Sequence, residues 1–377
     1  MSDIMLNNTQ DVVVISRRNE RRKRREQQRR KRRKKISIIF ISIFLLISLL
    51  YSSIVFVDLP YVSTLRDIYI ETAMTTADHK WLATYFFPKS LIDKVMNKKI
   101  SNLDVVAVTE IKHDEEDKNI NKANDDILNQ KGLKVGDLDY AGNKIVVNDI
   151  EQGIIISEVK GNTFNGRIAL IDDPGRVFVG VTDRKGVSGR FILDYLKMYN
   201  AVLGVNASGF NDPNGHGSGG SIVGLTYSNG EKWGNYTPVY GTIAFDKENR
   251  LIVGGIKDWD KYNIRDGAQF SPALISEGKK LLKGSAGWGL QPRTVIGQRA
   301  DGVVMFLVID GRQPGHSIGA TMEDCANVLL SYGAVTAGAC DGGSSSIMAY
   351  DGKIMTKCSS PSKVGRLLPN AFLVKRK

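Results

Sequence analysis

The sequence contains little cysteine and little histidine. Its three cysteines, Cys325, Cys340 and Cys358, are an odd number without the dense spacing of a disulfide scaffold. Cys325 lies on the apolar face of a predicted helix and Cys340 ends an apolar run, so both are expected to be small buried residues. No spacing specifies a metal, and no cofactor follows from the sequence with confidence.

Charged side chains are absent from residues 36–57. These 22 residues, rich in Ile, Leu and Phe, are long enough as a helix to cross the hydrocarbon core of a bilayer. A cleaved signal peptide is the alternative, but its apolar stretch is only about 7–15 residues and ends at small residues. The sequence Val57-Asp58-Leu59-Pro60 does not resemble such a site. The sequence therefore predicts one uncleaved transmembrane helix.

The net charge of +12 comes from the N-terminal tail. Residues 1–35 hold 14 Lys and Arg against 4 acidic residues, which leaves 38 against 36 for the rest of the chain. A basic run can bind nucleic acid through phosphates, but basic residues before a first apolar segment are retained in the cytoplasm. We interpret residues 1–35 as a cytoplasmic tail of a single-pass plasma-membrane protein, with the remainder extracellular and no nucleic-acid partner.

Composition divides the remainder into three parts. Residues 58–111 have apolar spacings that predict a helical stalk, broken near Pro88. Residues 112–149 are rich in Asp, Glu, Lys, Asn and Gly, which indicates a polar linker or a surface insertion. Residues 150–377 contain short apolar runs and many glycines, and they are numerous enough to bury a substantial core. A fragment that begins at Ile150 is therefore expected to fold alone.

Residues 150–377 combine hairpin signals with helix signals. Three pairs predict tight turns between strands: Asn229-Gly230, Asp301-Gly302 and Asp351-Gly352. One amphipathic helix is expected with Ser188 as its cap, and a second opens at Thr321 with Asp324 as its capping partner. The second helix lies between apolar strands at 303–309 and 334–340, which indicates a crossover unit. The sequence predicts an α+β fold with a mixed sheet, several hairpins and crossover helices.

Polar, glycine-rich loops follow three apolar strands. They begin at Asn206, Asp310 and Asp341. Strands fix the base of such loops, so binding and catalytic residues are often placed there. A simple turn or helix cap is the ordinary alternative for each loop taken alone. Three such loops in one domain favour a functional site.

The motifs in these loops resemble those of the phosphodiester glycosidase family. In chain order they are Pro292-Arg293-Thr294, Asp310-Gly311-Arg312-Gln313-Pro314-Gly315, the helix after Thr321, Asp341-Gly342-Gly343-Ser344-Ser345 and Pro369-Asn370-Ala371. Ser344 stands where the family usually has a third glycine, and Asn206-Ala207-Ser208-Gly209-Phe210 replaces the usual Asn-Gly-Gly-Phe. The resemblance covers residues 150–377 and implies a glycoside hydrolase domain acting on sugar-1-phosphodiesters, with a phosphosugar or envelope glycan as substrate.

The resemblance and the residue chemistry together assign expected roles. Breaking a sugar C1–O–phosphate bond expels a good leaving group, so the site needs a cation near phosphate and a carboxylate near C1. Arginine offers planar donors to phosphate, and backbone N–H groups of residues 342–344 are expected to form an anion-binding concavity. The expected catalytic residues are Asp310, Asp341 and Arg312. The expected substrate-binding residues are Arg293, Asn206, Phe210, Gln313, His316, Gly342, Gly343, Ser344, Ser345 and Asn370.

Two other functions stay open at this point. One is a non-catalytic, membrane-tethered receptor for a phosphosugar polymer, and the other is an envelope transferase in which a sugar hydroxyl replaces water. Two carboxylates near a phosphate would weaken simple anion capture, which favours catalysis over binding. A divalent cation is compatible with Asp310 and Asp341, although no spacing specifies one.

Overall fold

The computed structural model describes residues 2–76, 79–111 and 132–377. The chain divides into two compact units, one ending at Arg66 and the other spanning Asp67–Lys377. Helix α1, Ser2–Phe56, lies in the first unit, and its segment Glu20–Phe56 is long and apolar enough to cross a membrane. Within the described residues it is the one helix with these properties, which suit an anchor or a signal sequence.

Helices continue through the region that was expected to be helical. They are α2 (Pro60–Met74), α3 (Trp81–Thr84) and α4 (Lys89–Met96). Helix α4 begins directly after Pro88, as expected from a residue that lacks an N–H and suits the start of a helix. The buried residues of these helices form a small core of Ile70, Ala73, Ala83, Ile92 and Val95.

The described residues form nineteen strands in three sheets. In chain order the strands are β1 (Val106–Val108), β2 (Ile145–Asp149), β3 (Ile154–Lys160), β4 (Asn165–Ile171), β5 (Val177–Val181), β6 (Ala201–Asn206), β7 (Leu225–Ser228), β8 (Glu231–Gly234), β9 (Thr242–Asp246), β10 (Leu251–Gly254), β11 (Ile264–Gln269), β12 (Ala273–Ser276), β13 (Lys279–Lys280), β14 (Arg293–Arg299), β15 (Val304–Ile309), β16 (Ala334–Ala339), β17 (Met348–Tyr350), β18 (Lys353–Ile354) and β19 (Asn370–Lys375). The sheet orders are β1-β10-β9-β11-β7-β8, β13-β12-β16-β14-β15-β4-β3-β2 and β18-β17-β6-β19-β5.

All three predicted hairpins are present. They join β7 to β8, β14 to β15 and β17 to β18 at the three expected turns. At the first turn, Asn229 and Gly230 have φ angles of 51° and 79°. Both central residues of a type I′ turn need positive φ, and Asn and Gly adopt it at the lowest cost.

Two further helices belong to the second unit, α5 (Ile192–Met198) and α6 (Met322–Ser331). Helix α6 has the predicted capping box, in which the Asp324 N–H donates to Thr321 Oγ1 at 3.1 Å and the Thr321 N–H donates to Asp324 Oδ2 at 2.9 Å. The expected cap of α5 at Ser188 is wrong. Ser188 lies in the preceding turn, where its carbonyl accepts a bond from Thr182 Oγ1, and the helix starts after Phe191.

The α+β class, the hairpins and the crossover helix are confirmed, but the sheets are not mixed. Helix α6 connects β15 to β16, and both strands pair with β14, which lies between them. The two strands run in the same direction without being neighbours, so a crossover helix serves an antiparallel sheet. Every strand pair among the described residues is antiparallel.

The largest core lies where the three sheets meet. Phe245, Phe306 and Phe372 come from different sheets, and the ring centroids of Phe245 and Phe306 lie 6.3 and 6.4 Å from that of Phe372. Cys340 belongs to this core, and Cys325 is buried between α6 and the eight-stranded sheet, as expected for small apolar residues. This packing fixes the strand ends from which the site is built.

Elements that precede residue 150 also take part in the sheets. Strand β1 pairs with β10, and β2 pairs with β3 at the edge of the eight-stranded sheet. The Tyr332 hydroxyl donates to Asp139 Oδ2 at 2.6 Å, which ties the turn before β2 to the end of α6. Residues 112–131 of the predicted linker lie outside the described residues, whereas the described part, 132–149, packs as part of the fold.

Candidate active site

One cavity of about 380 Å³ is lined by most of the predicted site residues. It is lined by loops that follow β6, β15 and β16, by the chain leading into β14, and by residues of α2 and α4 or close after them. Eight predicted residues line it: Phe210, Arg293, Arg312, Asp341, Gly342, Gly343, Ser344 and Ser345. The lining residues that were not predicted include Asp212, Arg366, Gln291, Tyr240, Phe270, Trp288, Lys99, Met74, Thr75 and Met96.

Asp341 is held by the backbone of the neighbouring sheet. Its N–H donates to the Ala207 carbonyl at 2.8 Å, and its own carbonyl accepts a bond from Asn206 Nδ2 at 2.7 Å. Asn206 is fully buried, and its Oδ1 accepts a bond from Thr294 Oγ1 at 2.6 Å. The loop after β16 is thereby fixed to the ends of β6 and β14, which gives the Asp341 carboxyl a defined position.

The Asp341 carboxyl has a pKa suited to proton transfer near neutral pH. Burial raises the pKa of this group to about 6, and the neighbouring Asp212 adds to the rise. Hydrogen bonds from the Ser345 side chain and the Gly342 N–H, together with the positive charge of Arg366, act in the opposite direction. A carboxyl group whose pKa lies near the ambient pH can both accept and return a proton.

Arg312 is held in an unusual backbone conformation beside the Asp341 loop. Its φ of 58° lies in the left-handed region, which is costly for a residue with a side chain. Its Nε donates to Gln291 Oε1 at 2.8 Å. A methyl group at Gly343 would lie 2.9 Å from Arg312 Nη2, and Gly343 itself has a φ of 62°. Only glycine at position 343 lets the guanidinium lie directly against this loop.

Arg293 lies deeper in the wall of the cavity. Its Nε donates to the Ala320 carbonyl at 3.1 Å, and its Nη2 donates to the Trp288 and Gly289 carbonyls at 2.8 and 2.7 Å. Burial lowers the pKa of this guanidinium to about 10, and the charge of Arg312 contributes. The residue therefore acts first as a brace for the loop before β14, while its fixed charge contributes to the field in the cavity.

Asp212 and Arg366 form a bidentate ion pair that the sequence did not indicate. The two guanidinium nitrogens Nη1 and Nη2 lie 2.5 and 2.7 Å from the two carboxylate oxygens. Arg366 also lies 4.9 Å from the ring centroid of Phe210, and its Nη1 is 3.4 Å from Ser344 Oγ. The pair lowers the pKa of Asp212. The cavity thus contains two carboxyl groups whose pKa values are shifted in opposite directions.

An aromatic wall forms another side of the cavity. The rings of Tyr240 and Phe270 are stacked with centroids 5.1 Å apart, and Trp288 lies 6.2 Å from Phe270. Lys99 Nζ is 3.7 Å from the Trp288 ring centroid, a cation–π distance. Burial and the charge of Asp341 raise the pKa of Tyr240. Stacked rings beside polar groups suit a ligand with both apolar and hydroxyl-bearing faces.

Asp310, His316 and Gln313 do not line the cavity. Asp310 is buried, and its carboxylate accepts bonds from His316 Nε2 at 2.8 Å and the Lys357 N–H at 2.9 Å. Burial raises the pKa of Asp310, and His316 opposes the rise. Gln313 Nε2 donates to the Lys357 carbonyl at 2.7 Å. The structure therefore places these three predicted residues in a network that fixes residue 357 against the loop after β15.

Asn206 and Asn370 are also not positioned to contact a ligand. Both are fully buried. The Asn370 Oδ1 accepts bonds from the N–H and Oγ of Ser208, and its Nδ2 donates to Thr226 Oγ1. Since the amide groups of both residues are used within the protein, they brace loops instead of binding sugar. This corrects the substrate-binding role expected for them.

The expected anion concavity is partly occupied by internal bonds. The Gly342 N–H donates to Asp341 Oδ1 at 2.9 Å, and the Gly343 N–H donates to the Pro292 carbonyl at 2.9 Å. Two of the three backbone groups expected to form the concavity therefore already have partners within the protein. The described residues contain no cluster of three or more His, Cys, Asp or Glu side chains arranged to hold a metal ion.

The family assignment comes from comparison with known proteins. Residues 199–375 match the family model described as phosphodiester glycosidase. We call these residues, which are a little less than half of the chain, the phosphodiester glycosidase region. The phosphodiester glycosidase region contains β6, β14 to β16 and β19, so it includes Asp212, Asp341 and the three arginines of the cavity. The family predicted from the sequence motifs is confirmed.

One relative has a similar sequence. An uncharacterized SPbeta prophage-derived protein of Bacillus subtilis (strain 168) is 30% identical over 200 residues, which are 50% of this chain and 29% of the relative. The chain therefore spans less than a third of that protein's length.

Solved structures of other proteins are similar to parts of the chain. The zebrafish N-acetylglucosamine-1-phosphodiester alpha-N-acetylglucosaminidase catalytic domain, auto-inhibited by its pro-peptide, is 16% identical with a TM-score of 0.49, covering 59% of this chain and 82% of that one. A hypothetical protein from Synechocystis is 15% identical with a TM-score of 0.44, covering 62% and 64%. A putative exported protein from Burkholderia pseudomallei is 14% identical with a TM-score of 0.42, covering 56% and 74%.

Proposed function

We propose that this protein is a membrane-anchored hydrolase that cleaves the sugar C1–O–phosphate bond of an envelope phosphodiester. The observation that carries the proposal is the presence of Asp341 in one cavity with Arg293, Arg312 and Arg366. A carboxylate and a group of cations are the two requirements of this reaction. The match to the phosphodiester glycosidase family model supports hydrolysis of phosphodiester glycosides in general.

The arginines act on the phosphate. When the C1–O bond breaks, its electron pair stays on the phosphate oxygen, so negative charge increases there in the transition state. Arg312 and Arg366 line the cavity and supply positive charge to this oxygen, and the buried charge of Arg293 adds to the field. Groups held in place before the reaction stabilise developing charge without a cost of reorganisation.

Asp341 acts on the sugar. The departing phosphate leaves positive charge at C1, which the Asp341 carboxylate stabilises. A water molecule adds to C1, and its proton passes to Asp341, whose pKa near 6 suits a base at neutral pH. Asp212 stays ionised because of Arg366, and it orients that guanidinium. The aromatic wall of Tyr240, Phe270 and Trp288 offers apolar faces to the sugar ring.

Helix α1 and the basic tail define the expected location. The tail stays in the cytoplasm, α1 crosses the plasma membrane, and the glycosidase region faces outward. Protease added to intact cells is expected to remove the glycosidase region and to spare the tail. Protection of that region would reverse the orientation.

The activity is tested with the full-length protein and a panel of sugar-1-phosphodiesters. Free sugar and phosphate monoester are expected in equal amounts, and Asp341→Asn is expected to slow the release of both about a hundredfold or more. Binding of the panel without release of sugar would make the protein a receptor. Transfer of the sugar to an added acceptor, without free sugar, would make it a transferase.

A further inference from the structure

An exposed patch of aromatic and basic residues lies on and around helix α3. We define the interfacial patch as Trp81, Tyr85 and Phe86 together with Lys80 and Lys89. The three aromatic side chains are 48%, 80% and 50% exposed, and both lysines are exposed. Large aromatic side chains gathered at one surface mark a contact with another apolar phase.

The patch is the outer side of a short amphipathic segment. On the inner side Ala83 is fully buried, and Leu82 and Phe87 pack against the small core of α2 and α4. Trp81 and Tyr85 are one helical turn apart, and their ring centroids are 6.1 Å apart. The inner side therefore packs in that core, whereas Trp81 and Tyr85 are not among its members.

The charge of the segment indicates which surface the patch contacts. Residues 79–99 contain five lysines and one acidic residue, Asp93. Lys98 pairs with Asp67 and Lys99 lies over Trp288 in the cavity, so the surface charge comes from the other three lysines. Trp and Tyr are enriched at the level of lipid headgroups, and lysines beside them are attracted to anionic lipids. A basic segment with Trp and Phe on its apolar face is typical of structures that lie in the membrane interface.

The position of the patch in the chain supports the same partner. Trp81 lies 25 residues after Phe56, the end of the helix that is able to span a membrane, and 15 of the intervening residues form α2. A tether of this length gives the patch a high effective concentration at a bilayer surface, so weak individual contacts are sufficient.

We propose that the interfacial patch inserts into the headgroup region of the membrane. The cavity is part of the same region of the fold, because Thr75 lies just after α2 and Lys99 lies just after α4, and both line the cavity. Docking would hold the cavity close to the bilayer. This consequence rests on the proposed function. It makes a sugar phosphodiester near the lipid headgroups the preferred class of substrate.

The test uses tryptophan fluorescence of the full-length protein in vesicles of phosphatidylcholine and phosphatidylglycerol. Lipids with bromine on the acyl chain near the headgroup quench a tryptophan that enters the interface. The chain has four tryptophans, of which Trp259 and Trp288 are buried. Trp233, on β8, is partly exposed in the six-stranded sheet and serves as the matched control.

Quenching is expected in the wild-type protein, with most of it lost in Trp81→Phe and retained in Trp233→Phe. A Lys80→Glu, Lys89→Glu double variant is expected to lose part of the quenching in vesicles with phosphatidylglycerol. Equal quenching in the wild-type protein and Trp81→Phe would overturn the proposal, as would its absence in both, which would leave the patch to a protein partner. No substrate is present, so the result is independent of whether the protein cleaves phosphodiesters.

Discussion

Gln291 accepts a hydrogen bond from Arg312, with 2.8 Å between Oε1 and the guanidinium Nε. The other end of the same amide donates to the Thr72 carbonyl and to Thr75 Oγ1, both at 2.9 Å. A single buried glutamine therefore connects an arginine of the cavity to helix α2 and the residues that follow it. The position of Arg312 depends on a segment outside the region that matches the family model.

Gln291→Met tests this connection. Loss of the bond removes one of the contacts that orient the Arg312 guanidinium, so we expect kcat/KM to fall about tenfold, and stability to fall by about 1–3 kcal/mol. Gln298→Met is the matched control, because Gln298 is a fully buried glutamine in β14 that does not line the cavity and whose amide bonds to the backbone of residues 249, 251 and 302. The control should lose similar stability and keep its activity. Equal loss of activity in both variants would make Gln291 merely structural.

Asp341→Asn tests the reacting carboxylate. The substitution keeps the shape and removes the charge, so we expect kcat to fall about a hundredfold or more while a phosphodiester analogue still binds. Asp310→Asn is the control, since Asp310 follows β15 but does not line the cavity. It should lower stability more than activity. The assignment of Asp341 fails if its variant releases sugar at close to the parental rate.

The pH dependence follows from the raised pKa of Asp341. If the ionised carboxylate acts in catalysis, kcat/KM should fall as pH drops below about 6, and Asp341→Asn should lack this limb. The contribution of Asp341 to stability depends on pH in the opposite direction to its contribution to activity. Because the folded pKa lies above the unfolded value, the contribution of this group is favourable at low pH and is lost as pH rises through about 6. At pH 7, the free energy of unfolding of Asp341→Asn, measured in denaturant, should therefore be about 1–3 kcal/mol higher than that of the parent protein.

Arg366→Lys tests the ion pair in the cavity. Lysine keeps the charge but cannot make the bidentate contact with Asp212, so we expect KM to rise about tenfold with a smaller change in kcat. Arg190→Lys is the control, because Arg190 makes a similar bidentate contact to Asp183 at the surface. Steady-state kinetics of both variants decide the point. An unchanged KM in Arg366→Lys would remove Arg366 from substrate binding.

A truncation series tests where the folded unit begins. The sequence led us to expect that a fragment from Ile150 folds alone, but β1 and β2 precede that residue and pair with β10 and β3. Removal of both strands exposes two sheet edges. We expect the fragment from Ile150 to aggregate and a fragment from Asp67 to stay soluble with a sharp thermal transition. Equal behaviour of the two fragments would support the original expectation.

Local signals in the sequence predicted local features of the fold. The turn at Asn229-Gly230 and the capping pair Thr321 and Asp324 depend on a few adjacent residues, and the structure contains both. Asp341 was identified because a polar loop follows a buried strand. The partnership of Asp212 and Arg366 had no such signal, since the two residues are 154 positions apart and only the assembled sheets bring them together.

The direction of a side chain at a strand end could not be predicted from the sequence either. Asp310 and Asp341 follow strands that run in the same direction. In the sequence, each of them follows an apolar run and begins a polar, glycine-rich loop. Asp310 is bonded to His316 and the Lys357 N–H, whereas Asp341 lines the cavity. The Lys357 N–H that holds Asp310 lies 47 positions further along the chain, and a contact over that distance leaves no local signal in the sequence.

Strand β19 lies between β6 and β5, although it follows every other described strand in the chain. During synthesis, β5 and β6 therefore emerge long before the strand that joins them, and the five-stranded sheet cannot close in the meantime. For the outward location that we propose, this delay lets the chain pass through a translocation channel before a stable sheet forms. The same order has a cost. Until β19 is made, the edges of β5 and β6 that it will cover stay open and are exposed to association with other chains.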